Sequence, residues 1–302
     1  MNAGWRVIDC MALTGELRYS RGQLVVKDSS TGVDTAIPLA QIAVVLVGNA
    51  TMVSGAVVAK LSEYDIALLI CDWRQVPIAG ALPWREHTRI GARQRSQAAL
   101  SAPRRKQAWS RVITSKIRGQ AYTLELLGLP GSKELLALSQ EVRSGDPTNV
   151  EAQAAKRYWG FISGEQSFFR IPGGHIDGWN SGLDYGYTLL RGYGIRAATS
   201  AGLCGALGIF HHGRSNAFAL VDDLMEPFRP MVDFVVFSSF TQEDSLSREM
   251  KSHISESLTN AFGRDGKSMP TVFNEFAQDF GLYVEGQRKS LSVPIWQAEW
   301  NA

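Results

Sequence analysis

The spacing of apolar residues changes once along this chain, and that change limits its possible folds more than any other feature. Before residue 84 the apolar runs are short and β-branched: RVIDCMAL, GELRYSRGQLVVKD, DTAIPLA and IAVVLVG, punctuated by Gly, Ser, Asn and Asp. This is the pattern of short strands joined by turns, and KDSSTGVD between two of the runs has the composition of a hairpin turn. One interruption, TMVSGAVVAKLSEYD, carries apolar residues at helical spacing, with Asn49 or Thr51 available as a cap, before IALLICDW returns to strand. Beyond residue 105 the spacing becomes helical and stays so, from QAWSRVITSKIRGQAYTLELLG to PTVFNEFAQDFGLYVEGQ. The expected architecture is an α+β protein of two domains: a β-rich N-terminal domain over 1–83, a basic linker region over 84–105 and a larger all-α domain over 106–302. A chain of 302 residues is long enough for two such cores.

The linker region is unusual in charge. From residue 84 to 120 the chain has ten arginines and lysines, among them Arg85, Arg104, Arg105, Lys106, Lys116 and Arg118, against the single acid Glu86. The formal net charge of the whole chain is only +2, so this segment makes a local positive field. Phosphates of a nucleic-acid backbone are its natural counterpart, and Arg104, Arg105 and Lys106 are the candidate contacts.

The three cysteines, Cys10, Cys71 and Cys204, are odd in number and far apart, with no C-x-x-C pair. That argues against a zinc cluster or a disulfide framework and for a reducing, cytoplasmic setting. The N-terminus does not read as a secretory signal, and the longest apolar runs are too short to cross a bilayer, so no membrane role is expected.

Chemistry concentrates in GIFHHGRSNAFALVDDLMEPFRP, residues 208–230. Val221, Leu224, Met225 and Phe228 trace one helical face, which leaves Asp222, Asp223 and Glu226 off the stripe. Three like charges on one helix repel, and a bound cation would reverse the sign of that interaction. The alternative is a solvated acidic face with Arg229 paired to Glu226. A turn leading from His211 and His212 into this helix puts an imidazole within reach of a carboxylate, without deciding which histidine is used. A third group could come from Glu151, although Thr148-x-x-Glu151 also reads as a capping box that would employ this glutamate at its own helix terminus.

Three segments, NVEAQAAKRYWGFI, NSGLDYGYTLLRGYGIRAATSAGL and LGIFHHGRSNAFALVDDLMEPFRPMVD, occur in an order that resembles the CRISPR-associated integrase family of spacer acquisition. The wording DLMEPFRPMVD is most similar to the members from type II systems, and the likeness spans residues from about 5 to 285. The resemblance implies that Glu151, His211 and Glu226 bind a divalent metal and carry catalysis. It implies that His212 is a neighbour and Asp223 an outer or second acid. Gly182 and Asp184 depart from that family's usual residues, which leaves Asp184 without an inherited role. Two carboxylates and an imidazole make a fairly hard donor set, suited to Mg²⁺ or Mn²⁺ over zinc.

The implied activity is a metal-dependent DNA integrase and endonuclease that inserts short foreign fragments into a CRISPR array by 3′-hydroxyl transesterification. The implied partners are double-stranded DNA (spacer precursor and CRISPR repeat), a second copy of the chain as homodimer, a small companion protein of the adaptation complex and the RNA-guided nuclease. The β-rich domain would then serve dimerisation and docking. Two other readings compete: a non-catalytic DNA-binding architectural subunit, and a hydrolase of small phosphoesters.

Overall fold

The structure is a computed structural model and describes residues 5–83, 88–164, 168–174 and 177–297. Trp84, Arg85 and Glu86 of the basic segment lie outside the described residues. The chain begins with β1 (Arg6–Cys10), β2 (Gly15–Ser20), β3 (Gln23–Asp28), β4 (Asp34–Pro38), β5 (Ile42–Val47) and β6 (Thr51–Val53). Helix α1 (Gly55–Glu63) then leads to β7 (Ala67–Cys71) and β8 (Pro77–Ala81). They form two four-stranded sheets, one ordered β1-β5-β7-β8 and the other β4-β3-β2-β6. The strand character expected of this region is present.

The run IAVVLV is β5, parallel to both β1 and β7 and buried along its whole length. It reads as continuously apolar because its two faces enter different cores. Ile42, Val45 and Val47 pack with Leu17, Leu24 and Leu61 on the side of the second sheet. Ala43, Val44 and Leu46 pack into the helices. Helix α1 is capped by Ser54, whose hydroxyl accepts from the Val57 amide at 3.3 Å, and not by Asn49 or Thr51. Thr51 belongs to β6, and its hydroxyl donates to the Leu13 carbonyl at 3.1 Å.

The helices that follow are α2 (Ile90–Ala98), α3 (Ala102–Leu126), α4 (Ser132–Glu141), α5 (Val150–Ile162) and α6 (Gly178–Ser200). After them come α7 (Ala219–Leu224), α8 (Arg229–Ser239), α9 (Arg248–Ser257) and α10 (Met269–Val284). The expected linker over 84–105 is therefore corrected: α2 and the first turn of α3 occupy most of it. Buried side chains fasten α2 to the helical body. Arg93 donates to the Ala201 carbonyl at 2.6 Å and pairs with Glu285 at 3.3 Å, and Gln97 donates to the carbonyls of Cys204 and Leu207.

The β-rich and helical regions also share one core. Val44, Leu46, Leu69 and Cys71 pack in the same cluster as Ile113, Leu189, Tyr193 and Phe273. The protein is a mixed α/β fold in which α6 lies between the first sheet and the outer helices. Glycines make that position possible. A Cβ on Gly194 would fall 2.7 Å from a Val221 methyl, and one on Gly182 would fall 2.6 Å from the Met250 methyl. Gly182 is thus a packing residue. Among the described residues no helix is long and apolar enough to cross a membrane.

Candidate active site

Glu151 stands in the first turn of α5, and the capping box proposed for it does not form. Asn149 is the N-cap and accepts from the Ala152 amide at 3.3 Å, while Asp146 accepts from the amides of Val150 and Glu151 at 2.9 and 3.0 Å. With these donors satisfied, the Glu151 carboxylate is free to face outward from its own backbone. It meets Lys116 of α3 at 2.7 Å.

Glu226 comes from a break in what the sequence presents as one long helix. Pro227 and Pro230 lack amide donors and their rings crowd the preceding turn, so α7 ends at Leu224, a 3-10 turn spans Glu226–Phe228 and α8 starts at Arg229. The solvated acidic face is not what forms. Asp223 is wholly buried, Glu226 is buried, and each acid has its own partner. Asp222 takes both oxygens to Arg191, at 2.7 and 2.8 Å. Glu226 pairs with Arg229 at 2.9 Å and places its other oxygen 2.7 Å from the Lys116 ammonium. That second oxygen is buried, and its neighbour there is the Lys116 ammonium.

Asp223 is wrapped by the loop before α7. Its carboxylate accepts from the amides of Ile209, Phe210 and His211 at 2.5, 2.9 and 3.2 Å. It also faces His211 Nδ1 at 2.6 Å. A carboxylate can only accept, so in the neutral ring Nδ1 carries the proton and Nε2 keeps its lone pair. Trp109 of α3 stacks on Phe210, ring centroids 4.4 Å apart, and meets His211 edge-on. The two histidines stand differently: His211 lines the cavity that Glu226 also lines, and His212 meets Phe210 edge-on with ring centroids 6.4 Å apart.

The cavity has a volume of about 490 Å³. Arg74, Lys116, Arg170, Arg191 and Arg229 contribute cations to its wall. Burial pushes the Glu226 carboxyl up, but the charges of Arg229 and Lys116 outweigh this and hold it down at about 2. Burial likewise lowers Lys116, and Glu226 and Glu151 more than reverse it, so the ammonium stays charged. The hydrogen bond with Asp223 raises His211 above its usual value against the effect of burial. Asp233 is pushed up to about 6 by burial, partly offset by the hydroxyls of Tyr187 and Tyr158, which both donate to it.

Two of the three expected ligands are brought together and the third is beside them. Glu151 Oε1 and Glu226 Oε2 lie no further apart than twice 2.7 Å, because one ammonium touches both. Among the described residues no three His, Cys, Asp or Glu side chains already meet in ligand geometry. The place between the carboxylates is nonetheless cationic by construction, and its donors are oxygens, as a hard divalent ion requires.

The basic segment divides. Arg104 turns inward: it donates to the carbonyls of Tyr283 and Arg288, and its guanidinium lies 4.1 Å from the Tyr283 ring centroid. Arg105 and Lys106 are exposed. Sequence reasoning gave Lys116 the wrong partner by counting it with the phosphate-facing charges. Its spacing held the signal, since Trp109, Ile113, Lys116, Ile117 and Gln120 share one face of α3, where a lysine needs an internal acid.

Residues 12–262 match the family described as CRISPR associated protein Cas1. A relative from Neisseria meningitidis serogroup C (strain 8013), named CRISPR-associated endonuclease Cas1, is 34% identical over 249 residues, which is 81% of this chain and 80% of that protein. The fold is similar to that of a casposase bound to integration product, with a TM-score of 0.76 and 19% identity, over 96% of this chain and 93% of that one. It is also similar to a chain in a Cas6-RT-Cas1–Cas2 complex, with a TM-score of 0.72 and 18% identity, over 98% of this chain and 36% of that one.

Proposed function

This chain belongs to the Cas1 family of CRISPR-associated proteins, and from that membership we propose that it is a DNA integrase and endonuclease that inserts short foreign DNA fragments into a CRISPR array. The observation that carries the reading is the convergence of Glu151 and Glu226, from separate helices, on one cationic position next to His211. In this reading Glu151, His211 and Glu226 hold Mg²⁺ or Mn²⁺, and Asp223 fixes the His211 tautomer that such a ligand needs. An ion held there would supply Lewis-acid polarisation of a phosphodiester oxygen and charge stabilisation for an in-line displacement.

The chain's own residues do the rest. Arg74, Arg191 and Arg229 offer positive charge to a phosphate entering the cavity. The 3′-hydroxyl of the incoming fragment forms a P–O bond as the bond to the repeat strand's 3′-oxygen breaks. One phosphodiester replaces another, and no nucleotide cofactor is consumed. Water in place of the hydroxyl gives nuclease activity.

Arg105 and Lys106 extend the contact along the duplex backbone. Double-stranded DNA as substrate and a small companion protein are supported by the structural neighbours, one bound to integration product and one in a complex with Cas2. The homodimer, with the β-rich region 1–83 as its dimerisation and docking domain, and contact with the RNA-guided nuclease are further parts of the proposal. A cytoplasmic setting fits three free cysteines, two of them buried with thiols pushed up to about 12 by desolvation.

The test combines purified protein, its companion, a labelled fragment and a supercoiled plasmid bearing the repeat. Joined products are expected with Mn²⁺ or Mg²⁺ and absent in chelator. Glu151→Ala, His211→Ala and Glu226→Ala each abolish joining, and His212→Ala does not. Joining that persists in chelator rejects the proposal. One observation favours a second reading, a DNA-binding architectural subunit: the place between the two carboxylates is taken by Lys116. It predicts metal-indifferent DNA binding and no joined product even with the companion present.

A further inference from the structure

Lys116 presents a problem that the proposed chemistry does not absorb. It lies in the apolar stripe of α3, with 13% of its side chain exposed. Its ammonium touches one oxygen of Glu151 and one of Glu226, each at 2.7 Å. Burying an ammonium is costly and is tolerated only where acids surround it. The converse also holds here, because two buried or half-buried carboxylates this close would repel each other without a cation between them. Lys116 therefore stands where the divalent ion of the proposed chemistry would stand.

The two cations cannot share that place. Mg²⁺ takes its oxygens at about 2.1 Å, well inside the contact that an ammonium makes. The carboxylates must close inward, and a unit positive charge at their midpoint would then face a double one. Arg229, bonded to the remaining Glu226 oxygen at 2.9 Å, already makes this corner neutral: two carboxylates against Lys116 and Arg229. Adding an ion without moving Lys116 would set a double positive charge directly against the ammonium, with Arg229 also close by.

We propose, resting on the metal reading above, that Lys116 is a displaceable internal counter-ion: its ammonium holds Glu151 and Glu226 in position in the metal-free protein and must leave when the ion enters. Lys116 also lines the cavity, so a displaced ammonium stays within it and needs a new anion. A DNA phosphate supplies one. Metal and DNA then bind cooperatively, each favouring the conformation the other requires, and the DNA-free protein holds its ion weakly. The device restrains the nuclease until substrate is in place.

The test measures Mn²⁺ binding by the spin resonance of free Mn²⁺, using the full chain, with and without a duplex blocked at its 3′ ends. Lys116→Met keeps the stem and removes the charge, and Lys116→Gln is the second variant in case the first folds poorly by circular dichroism. Without DNA, either variant should bind Mn²⁺ more tightly than the wild type, by on the order of tenfold or more. Added duplex should tighten Mn²⁺ binding in the wild type and do so far less in the variants. Folded variants with wild-type or weaker Mn²⁺ affinity overturn the inference and leave the metal reading standing. Wild-type protein that binds no Mn²⁺, with or without duplex, overturns both.

Discussion

The Asp223 carboxylate is the most exacting test of how this site is held, because its replacement by asparagine changes almost nothing in volume. Asp223 has no solvent exposure, and its two oxygens take four hydrogen bonds. Oδ2 accepts from the amides of Ile209 and Phe210, and Oδ1 from the amide and the ring of His211. In Asp223→Asn the side chain has one acceptor oxygen where the aspartate has two. If the amide oxygen replaces Oδ2, the NH₂ group meets the His211 amide donor to donor, and one part-buried N–H is orphaned. An orphan costs about 1–3 kcal/mol, and turning two charge-assisted bonds into neutral ones costs about 1 kcal/mol more. The opposite rotamer orphans two amides and is worse. Asp223→Asn should therefore destabilise the fold by about 3 kcal/mol, read as a lowered urea midpoint at constant slope.

The ring matters as much as the backbone. An NH₂ group can only donate, so it drives the His211 proton from Nδ1 to Nε2 and removes the lone pair from the end that would bind an ion. Loss of such a supporting group costs about 10–100-fold in metal affinity or activity. Mn²⁺ affinity and joining rate, measured where Asp223→Asn is still folded, should fall within that range. A folded Asp223→Asn protein with wild-type Mn²⁺ affinity and joining would show that the carboxylate has no part in orienting His211.

The basic segment yields an opposed pair of outcomes. Arg105→Ala with Lys106→Ala should lower the slope of log affinity for DNA against log salt by about 2, whereas Arg104→Ala should leave the slope alone and reduce stability by about 2 kcal/mol. An unchanged slope in the double variant removes this turn of α3 from the DNA contact. Asp233 makes stability pH-dependent: its folded value of about 6 lies above the ordinary 3.8, so its contribution is full below 3.8 and is lost as pH rises through 6. The loss is about 3 kcal/mol, and Asp233→Asn should flatten that part of the profile, as urea midpoints taken between about pH 4 and 7 would reveal.

Much of the fold was legible in apolar spacing, because spacing reports which faces are buried. β5 and the buried stripe of α3 are both read directly from it. What spacing cannot report is whether two buried faces belong to one core or two. The β-rich and helical regions were expected to be separate for that reason, and Val44 of β5 packs in the same cluster as α6. The candidate linker over 84–105 failed on a related point. Charge suggested solvent, yet Arg93 and Gln97 are buried, because each finds carbonyl or carboxylate partners on elements more than a hundred residues away.

The candidate side chains could be named from the sequence and their arrangement could not, and one cause accounts for both outcomes. Local rules assign a polar side chain to its own segment: a cap for Glu151, a solvated face for Asp222, Asp223 and Glu226, a phosphate contact for Lys116. At each of these positions a partner from another segment enters, although Glu226 also keeps its local pair with Arg229. Asp146 and Asn149 do the capping, which frees Glu151. Two prolines break the helix at Glu226, which turns that acid toward α3. The loop before α7 folds its amides over Asp223, which leaves His211 aimed by an acid twelve residues further on. Lys116 then follows by elimination, since two carboxylates brought together in a protein interior demand a cation and α3 is the helix that passes between them. A sequence in which several polar residues fail to serve their own helices is for that reason one in which they serve a common centre.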